Sequence, residues 1–255
     1  MQTFDLPIGW ALGLVLGTIR AGAFVAAGGF VPRSIPKMAR ATPSIAFGVL
    51  IGTPVNGVLP VGDLVVLTVM NAFIGASLGW LLGLAVQPFQ IAGTMLDTAS
   101  GMTVGALFDK ESMTSPGPIS KIVNHAGTTL IIILGGLGVS ARVLYASVQA
   151  VALDGNLHSY SIVGPSTARV VSRVFKAGVE LALPITAVLF LIELTLGLVS
   201  RVAPQVNAFL LGLPIKLLTV MFLISSLVVV FPATADRAIA DGLDTVRGVL
   251  RVFAG

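Results

Sequence analysis

The sequence predicts an all-α integral membrane protein built from helical hairpins, and three observations lead to that prediction. The chain has 255 residues, of which 55% are apolar and 10% charged, whereas a soluble domain carries about 25% charged residues. Long runs without charge recur along the chain, and most are long enough to cross a hydrocarbon core of roughly 30 Å as a helix. Small residues recur at every fourth position within these runs, which is typical of closely packed membrane helices.

Composition also argues against several classes of function. The net charge of +4 comes from 15 Lys and Arg against 11 Asp and Glu, so we attribute it to asymmetry between membrane faces and expect no nucleic-acid partner. The absence of cysteine excludes disulfides and thiolate metal sites. The two histidines, His125 and His158, lie in unrelated contexts without accompanying acids. We therefore predict no catalytic residue, metal or cofactor.

Six apolar runs are candidate membrane-spanning helices within a single domain covering residues 1–255. The first has no Lys or Arg before it, so we expect a retained helix and not a cleaved signal. Residues 64–96 hold no charge and would extend about 50 Å as one helix, so we predict a bend or a hairpin near Gln87 and Pro88. The runs are 6–31, 43–62, 64–87, 122–141, 181–200 and 208–231, with a further apolar piece at 88–107.

Charge in the connections does not set the orientation of these runs. With six crossings and the N-terminus outside, the inner loops hold six cations and the outer loops seven. Lys and Arg normally favour the cytoplasmic side, so this tie indicates that some runs are hairpins or are covered by other protein.

Small residues form three stripes at helical spacing, one of which contains an acid. Such stripes let two helices approach closely, either within the chain or between subunits, and the sequence leaves both open. The stripes are Gly9, Gly13, Gly17 and Ala21; Gly75, Gly79 and Gly83; and Gly93, Asp97, Gly101 and Gly105.

Two segments are amphipathic. Residues 233–255 are predicted to form a C-terminal helix, whose apolar stripe we expect to lie against a partner or the membrane surface, the alternative being a solvated helix. That stripe consists of Ile239, Leu243, Val246, Leu250 and Phe253. A second helix, capped by Ser166 or Thr167, would carry Arg169, Arg173, Lys176 and Glu180 on one face.

Two charges stand within apolar runs near the C-terminal end of the chain. Glu193 and Lys216 are placed symmetrically about Pro204 and Gln205, so an antiparallel hairpin turning there would bring them level. Because an unpaired ion in hydrocarbon costs several kcal/mol, we favour an ion pair that clamps the hairpin over a proton or ion relay. A small-molecule secondary transporter using this pair is the alternative function.

The same hairpin carries a specific motif. Residues 193–218, ELTLGLVSRVAPQVNAFLLGLPIKLL, resemble the signature of the FliR family of flagellar biosynthesis proteins, part of the flagellar and virulence type III export apparatus. The matching residues are Glu193, Gly197, Arg201, Pro204, Gln205, Asn207, Phe209, Gly212, Pro214 and Lys216. Residues 90–112 resemble the family's Ala-Gly block ending in Phe-Asp-Pro, although Lys110 replaces the proline. VPRSIPKMAR resembles the first family loop through Ile35, Pro36 and Lys37.

The resemblance implies a subunit of a helical export-gate cone around a protein-conducting pore, much of it above the lipid plane. The implied partners are FliP-like and FliQ-like subunits, a FlhB-like switch protein and unfolded export substrates, at the bacterial inner membrane in a flagellar basal body or injectisome. The loop matching residues 108–121 is a plug in that family. Its candidate residues here are Phe108, Asp109, Lys110, Met113, Pro116 and Gly117. A purely structural assembly factor remains a further alternative.

Overall fold

A computed structural model describes residues 8–28, 37–55, 60–103, 116–155, 164–203, 205, 207–227 and 229–254. Every regular element in these ranges is helical, which confirms the predicted all-α class. The α-helices are α1 (Ile8–Ala27), α2 (Lys37–Ile51), α3 (Val61–Gly83), α4 (Gln87–Ser100), α5 (Pro118–Ile131), α6 (Leu137–Ala150), α7 (Gly164–Val202), α8 (Ala208–Leu227) and α9 (Phe231–Ala254).

Five helical stretches among the described residues are long and apolar enough to cross a membrane, by length and composition. They are Gly9–Ala27, Gly62–Ser100, Pro118–Ala150, Val171–Val202 and Leu210–Leu227. Five of the six predicted runs coincide with these stretches. The chain is therefore an integral membrane protein, as the composition predicted.

The one remaining prediction, a membrane-spanning helix over residues 43–62, is wrong. Helix α2 ends at Ile51 and has 15 residues, which extend about 22 Å and fall short of the hydrocarbon core. Residues 52–55 are non-helical, and Pro54 has no backbone N–H with which to continue the helix. The chain instead turns towards α1, where the Val55 N–H donates to the Gly9 carbonyl at 3.0 Å. The absence of charge therefore identified an apolar segment correctly, but it did not predict where the helix in that segment ends.

The other helix boundaries follow local backbone chemistry. A 3₁₀ turn, Leu84–Val86, separates α3 from α4, at the position where Gln87 and Pro88 predicted a break. Helix α4 ends at Ser100 and is capped by Gly101, whose φ of 83° lies in the left-handed region that favours glycine. Gly135, with φ of 97°, lies in the π turn Ile132–Gly136 between α5 and α6. Helix α5 begins at Pro118, so the last four residues of the predicted 108–121 loop form its first turn.

The chain forms two compact units, each assembled from separate segments. Unit 1 contains Met1–Ala85, Gly135–Val171 and Ile239–Gly255. Unit 2 contains Val86–Leu134 and Ser172–Ala238.

Glycine contacts hold α1 against α2 and α3 in unit 1. A methyl group at Gly13 would overlap the carbonyl oxygen of Thr53, which follows α2. Methyl groups at Gly75 and Gly79 of α3 would overlap the carbonyl oxygens of Arg20 and Phe24 in α1. At these positions the small-residue stripes therefore make contacts within the chain, which decides between the two alternatives that the sequence left open.

A buried arginine lies among these helices of unit 1. The Arg20 side chain is fully buried, and its Nε donates to Oδ1 of Asn71 at 2.9 Å. Its Nη1 donates to the carbonyl oxygens of Ser147 at 3.1 Å and Val151 at 2.9 Å. Among the described residues no carboxylate pairs with Arg20, so its charge is met by carbonyls at the C-terminal end of α6, where the helix dipole is negative.

Helix α9 covers the segment predicted as the amphipathic C-terminal helix, and part of its apolar stripe is buried by the chain itself. Val246 is 1% exposed and Leu250 is 9% exposed, so the prediction that these two side chains dock on a partner or membrane surface is wrong. A methyl group on Gly242 would lie 3.4 Å from Cδ1 of Leu82, within unit 1. The opposite side carries exposed charges, including the Asp244–Arg247 pair at 3.7 Å.

Candidate functional site at the base of the 108–121 loop

The structure describes only part of the predicted plug. Phe108, Asp109, Lys110 and Met113 lie outside the described residues. Pro116 is exposed, and Gly117 is half-buried directly before α5. The site is therefore built from the two helices that flank the loop, α4 and α5, together with the α7–α8 hairpin of the same unit.

Asp97 joins the two flanking helices. Its side chain is 1% exposed, and its two carboxylate oxygens accept the N–H groups of Ile119 at 3.0 Å and Ser120 at 2.9 Å. These N–H groups belong to the first turn of α5, where helical N–H groups have no partner within the helix. Gly117 stands at the N-cap and has no side chain to supply one. Asp97 thus caps α5 from the neighbouring helix.

The backbone of Asp97 also fixes the end of its own helix. Its carbonyl oxygen accepts the N–H of Met102 at 3.0 Å and the hydroxyl of Ser100 at 3.1 Å. Together with the left-handed Gly101, these bonds close the C-terminus of α4. One residue therefore holds both chain ends from which the loop departs.

Glycines allow α4 and α5 to approach closely enough for this arrangement. A methyl group at Gly93 would lie 2.5 Å from Cα of Ser120, and one at Gly117 would overlap the Asp97 carboxylate. The third predicted stripe is thus an internal contact at Gly93 and Asp97. The sequence pattern shows Asp97 as an acid within a glycine stripe but predicts no role for it. One sequence feature does single it out, since Asp97 is the first charged residue after Asp63.

The hairpin brings Glu193 and Lys216 together, as their symmetric placement predicted. The Lys216 Nζ lies 3.2 Å from Glu193 Oε1, and the two side chains are 14% and 65% exposed respectively. The pair lines a cavity of about 430 Å³ together with Thr98, Ser100, Gly101 and Gly212. The end of α4 and the charge pair therefore share one cavity.

The remaining signature residues shape the hairpin turn. The Asn207 Oδ1 accepts the Leu210 N–H at 3.3 Å, so Asn207 is the N-cap of α8. A methyl group at Gly212 would lie 3.0 Å from Cδ1 of Leu196, where α7 and α8 approach each other. Pro204 lies outside the described residues, and no side chain is described for Phe209. The exposed members of the signature among the described residues are Glu193, Gly197, Arg201, Gln205, Asn207 and Pro214.

Neutralising the charge pair should reveal whether it stabilises the hairpin. We expect Glu193→Gln to reduce the amount of assembled protein more than Lys216→Met, because it leaves a largely buried ammonium group without its partner. The double variant should recover part of the loss. Quantitative blotting of the assembled membrane fraction measures all three variants.

The exposed pair Lys176–Glu180, at 3.7 Å on α7, provides the matched control. Removing either of these charges should cost less than about 1 kcal/mol. An equal loss in the single and double variants at Glu193 and Lys216 would contradict the clamp, and normal assembly with failed transport would point to a relay.

The described part of the site contains close helix contacts at glycines, the Asp97 cap on the first turn of α5 and the Glu193–Lys216 ion pair. Among the described residues, no group of three or more His, Asp or Glu side chains is placed to hold a metal ion. Long apolar helices, glycine-mediated contacts and a charged hairpin define an integral membrane protein of helical hairpins. Residues 11–242 match the family model described as bacterial export proteins, family 1, and the chain belongs to this family.

Individual relatives point in the same direction. The chain is 26% identical over 214 residues to the flagellar biosynthetic protein FliR of Pectobacterium carotovorum subsp. carotovorum, covering 81% of each protein. It is 26% identical over 203 residues to FliR of Escherichia coli (strain K12), and this match covers 76% of each protein. It is 29% identical over 150 residues to the surface presentation of antigens protein SpaR of Salmonella typhimurium, which is 59% of this chain and 56% of that protein.

These relatives confirm the resemblance to the FliR family that the hairpin motif indicated. They also confirm the main functional prediction: the chain is a subunit of a type III protein-export apparatus. The transporter alternative finds no support among them.

Proposed function

We propose that this subunit helps to form and close the protein-conducting pore through which unfolded substrates leave the cell, without catalysing a reaction itself. The observation that carries the proposal is the Asp97 contact with Ile119 and Ser120, because it joins the two helices that flank the predicted plug. A loop anchored at one base is suited to cover an opening. Its polar residues, Asp109 to Ser115, cannot face lipid unsatisfied and must meet water or protein.

The proposed partners are FliP-like and FliQ-like subunits and a FlhB-like switch protein. Support comes from α7 and α8, whose apolar side chains are largely left uncovered by the chain. The exposed large residues include Phe175, Phe190, Leu194, Leu198, Leu218 and Phe222. Purification of the tagged full chain in mild detergent should recover FliP-like and FliQ-like proteins, and recovery of the chain alone would reject this assembly.

The proposed location is the bacterial inner membrane at the base of a flagellum. The matches to FliR cover 69–81% of the chain, whereas those to SpaR and to the secretion system apparatus protein SsaT cover 59–64%. This difference in coverage favours a flagellar system over an injectisome.

Shortening the loop tests the closing function directly. Deleting residues 110–116 should raise leakage of ions or small solutes across the inner membrane while leaving the complex assembled, because nothing would then cover the pore. Conductance and dye uptake in cells that contain the complex but no export substrate measure the leak.

A deletion in the polar connection 156–161, which lies elsewhere in the sequence, is the control and should leave conductance unchanged. If the 110–116 deletion assembles and conducts no more than wild type, the plug is rejected and the loop becomes a partner-docking segment.

A further inference from the structure

We infer that the cavity beside Glu193 and Lys216 binds a phosphoethanolamine group, supplied as the headgroup of the membrane lipid phosphatidylethanolamine. The ammonium of this headgroup contacts the Glu193 carboxylate, and its phosphate contacts the Lys216 ammonium. The subunit thereby gains a lipid ligand at its C-terminal hairpin. This site involves no transport step and does not depend on the proposed pore.

The cavity has the size and the mixed lining of a small-molecule site. Its volume of about 430 Å³ lies within the range of roughly 300–1,000 Å³ that is usual for such sites. Much of the lining is apolar and includes Ala99, Leu196 and Leu213, whereas the charges come from Glu193 and Lys216. All of these residues belong to unit 2. A few polar groups within an apolar lining are suited to an amphipathic ligand.

The ion pair keeps unused hydrogen-bonding capacity on both of its members. An ammonium group has three N–H donors, and a carboxylate has two acceptor oxygens. The contact between the Lys216 Nζ and the Glu193 Oε1, at 3.2 Å, uses one of each. Among the described residues, neither side chain has a further hydrogen bond or ion pair. The pair can therefore bind a cation at Glu193 and an anion at Lys216 at the same time, which a zwitterion supplies.

The end of α4 adds negative potential to the same cavity. Ala99, Ser100 and Gly101 line the cavity and form the end and the cap of that helix. The C-terminus of a helix carries roughly half a negative charge, which favours a cation nearby. The Thr98 hydroxyl donates to the Thr94 carbonyl at 2.9 Å, so it can act only as an acceptor towards any other group. This side of the cavity therefore favours the ammonium end of the ligand.

Apolar side chains around the cavity indicate that the zwitterion belongs to a lipid. Leu194 and Leu198 of α7 and Leu211 of α8 are exposed, and each directly adjoins a cavity-lining residue in the sequence. Burial of apolar surface is favourable, so acyl chains gain from contact with these side chains. A soluble phosphoethanolamine compound has no acyl chains and gains nothing there.

Native mass spectrometry of the purified full chain tests this site with three probes. They are dioleoylphosphatidylethanolamine, dioleoylphosphatidylglycerol and soluble glycerophosphoethanolamine. We expect phosphatidylethanolamine to bind as one molecule per chain and about tenfold more tightly than phosphatidylglycerol, which has no ammonium to form a charge-assisted hydrogen bond with Glu193. Glycerophosphoethanolamine should bind more weakly than the lipid that carries the same headgroup.

Two variants disturb the site in different ways, and binding is measured per folded chain. Glu193→Gln removes the carboxylate that binds the ammonium. Gly197→Leu keeps the ion pair and fills the cavity, which Gly197 lines. Apart from its chain neighbours and the adjacent backbone of α7, no described atom lies within 4 Å of a methyl group built at Gly197. Each variant should weaken phosphatidylethanolamine binding by about tenfold or more.

Gly248→Leu is the matched control. Gly248 is an exposed helical glycine of α9, its surroundings are as open as those of Gly197, and it does not line the cavity. The control should bind phosphatidylethanolamine as wild type does, and an equal loss in it would overturn the site.

Three further outcomes would contradict the assignment. Equal binding of the two lipids would mean that the headgroup is not recognised. Unchanged binding by Gly197→Leu would place the lipid outside the cavity. Binding of glycerophosphoethanolamine as tight as that of phosphatidylethanolamine would assign the cavity to a soluble ligand and overturn the lipid as its source.

Discussion

Replacing Arg20 with methionine should destabilise the subunit by roughly 2–6 kcal/mol, because the Asn71 Oδ1 and the Val151 carbonyl lose their donor at about 1–3 kcal/mol each. The Ser147 carbonyl keeps a donor, the Val151 N–H. Arg20 is fully buried and donates to Asn71 and to the Val151 carbonyl, both at 2.9 Å. It thereby ties α1 to α3 and to the end of α6. Thermal unfolding of the detergent-solubilised full chain should show a clearly lowered midpoint.

The charge and the shape of Arg20 can be separated. Arg20→Lys keeps the charge near the negative end of α6 but loses the planar guanidinium that reaches Asn71 and Val151 together. We expect an intermediate loss. Arg142→Met, which removes an exposed arginine from α6, should change the midpoint little. A midpoint for Arg20→Met that matches this control would show that the network does not stabilise the chain.

Sequence patterns predicted the helices well because charge-free length is a local property. Charge-free length gave a wrong span at residues 43–62, because the segment stays uncharged after helix α2 has ended at Ile51. Proline chemistry is local as well, and weighting it more heavily would have ended this helix before Pro54. The break near Gln87 and Pro88 was predicted on those grounds.

The partners of the buried polar residues were not predictable from local patterns. Arg20 contacts Asn71 and Val151, which lie 51 and 131 positions away, and Asp97 reaches Ile119 across an intervening loop. Periodicity places a side chain on a helix face but does not say which helix covers it. Glu193 and Lys216 were an exception, because a short connection between two consecutive antiparallel helices limits the register in which they can pair.

The glycine stripe of α3 should be intolerant of even one added methyl group. Gly79 lies against the backbone of Phe24 in α1, and a Cβ there would overlap its carbonyl oxygen. Backbone cannot rotate away as a side chain can, so α1 and α3 must separate. We expect Gly79→Ala to cost about 1–3 kcal/mol or more as overpacking, and the double variant with Gly75→Ala to prevent accumulation of the protein.

Gly62 of the same helix supplies a control with the opposite sign. Apart from its chain neighbours and the adjacent backbone of α3, no described atom lies within 4 Å of a methyl group built there. Gly62→Ala should therefore stabilise α3 by roughly 0.4–1 kcal/mol through the lower entropy of the unfolded chain. Unfolding midpoints of the two single variants should therefore move in opposite directions from wild type. A shared direction would mean that helix propensity and not the contact with Phe24 decides the outcome, and the close packing of α1 on α3 would then lose its support.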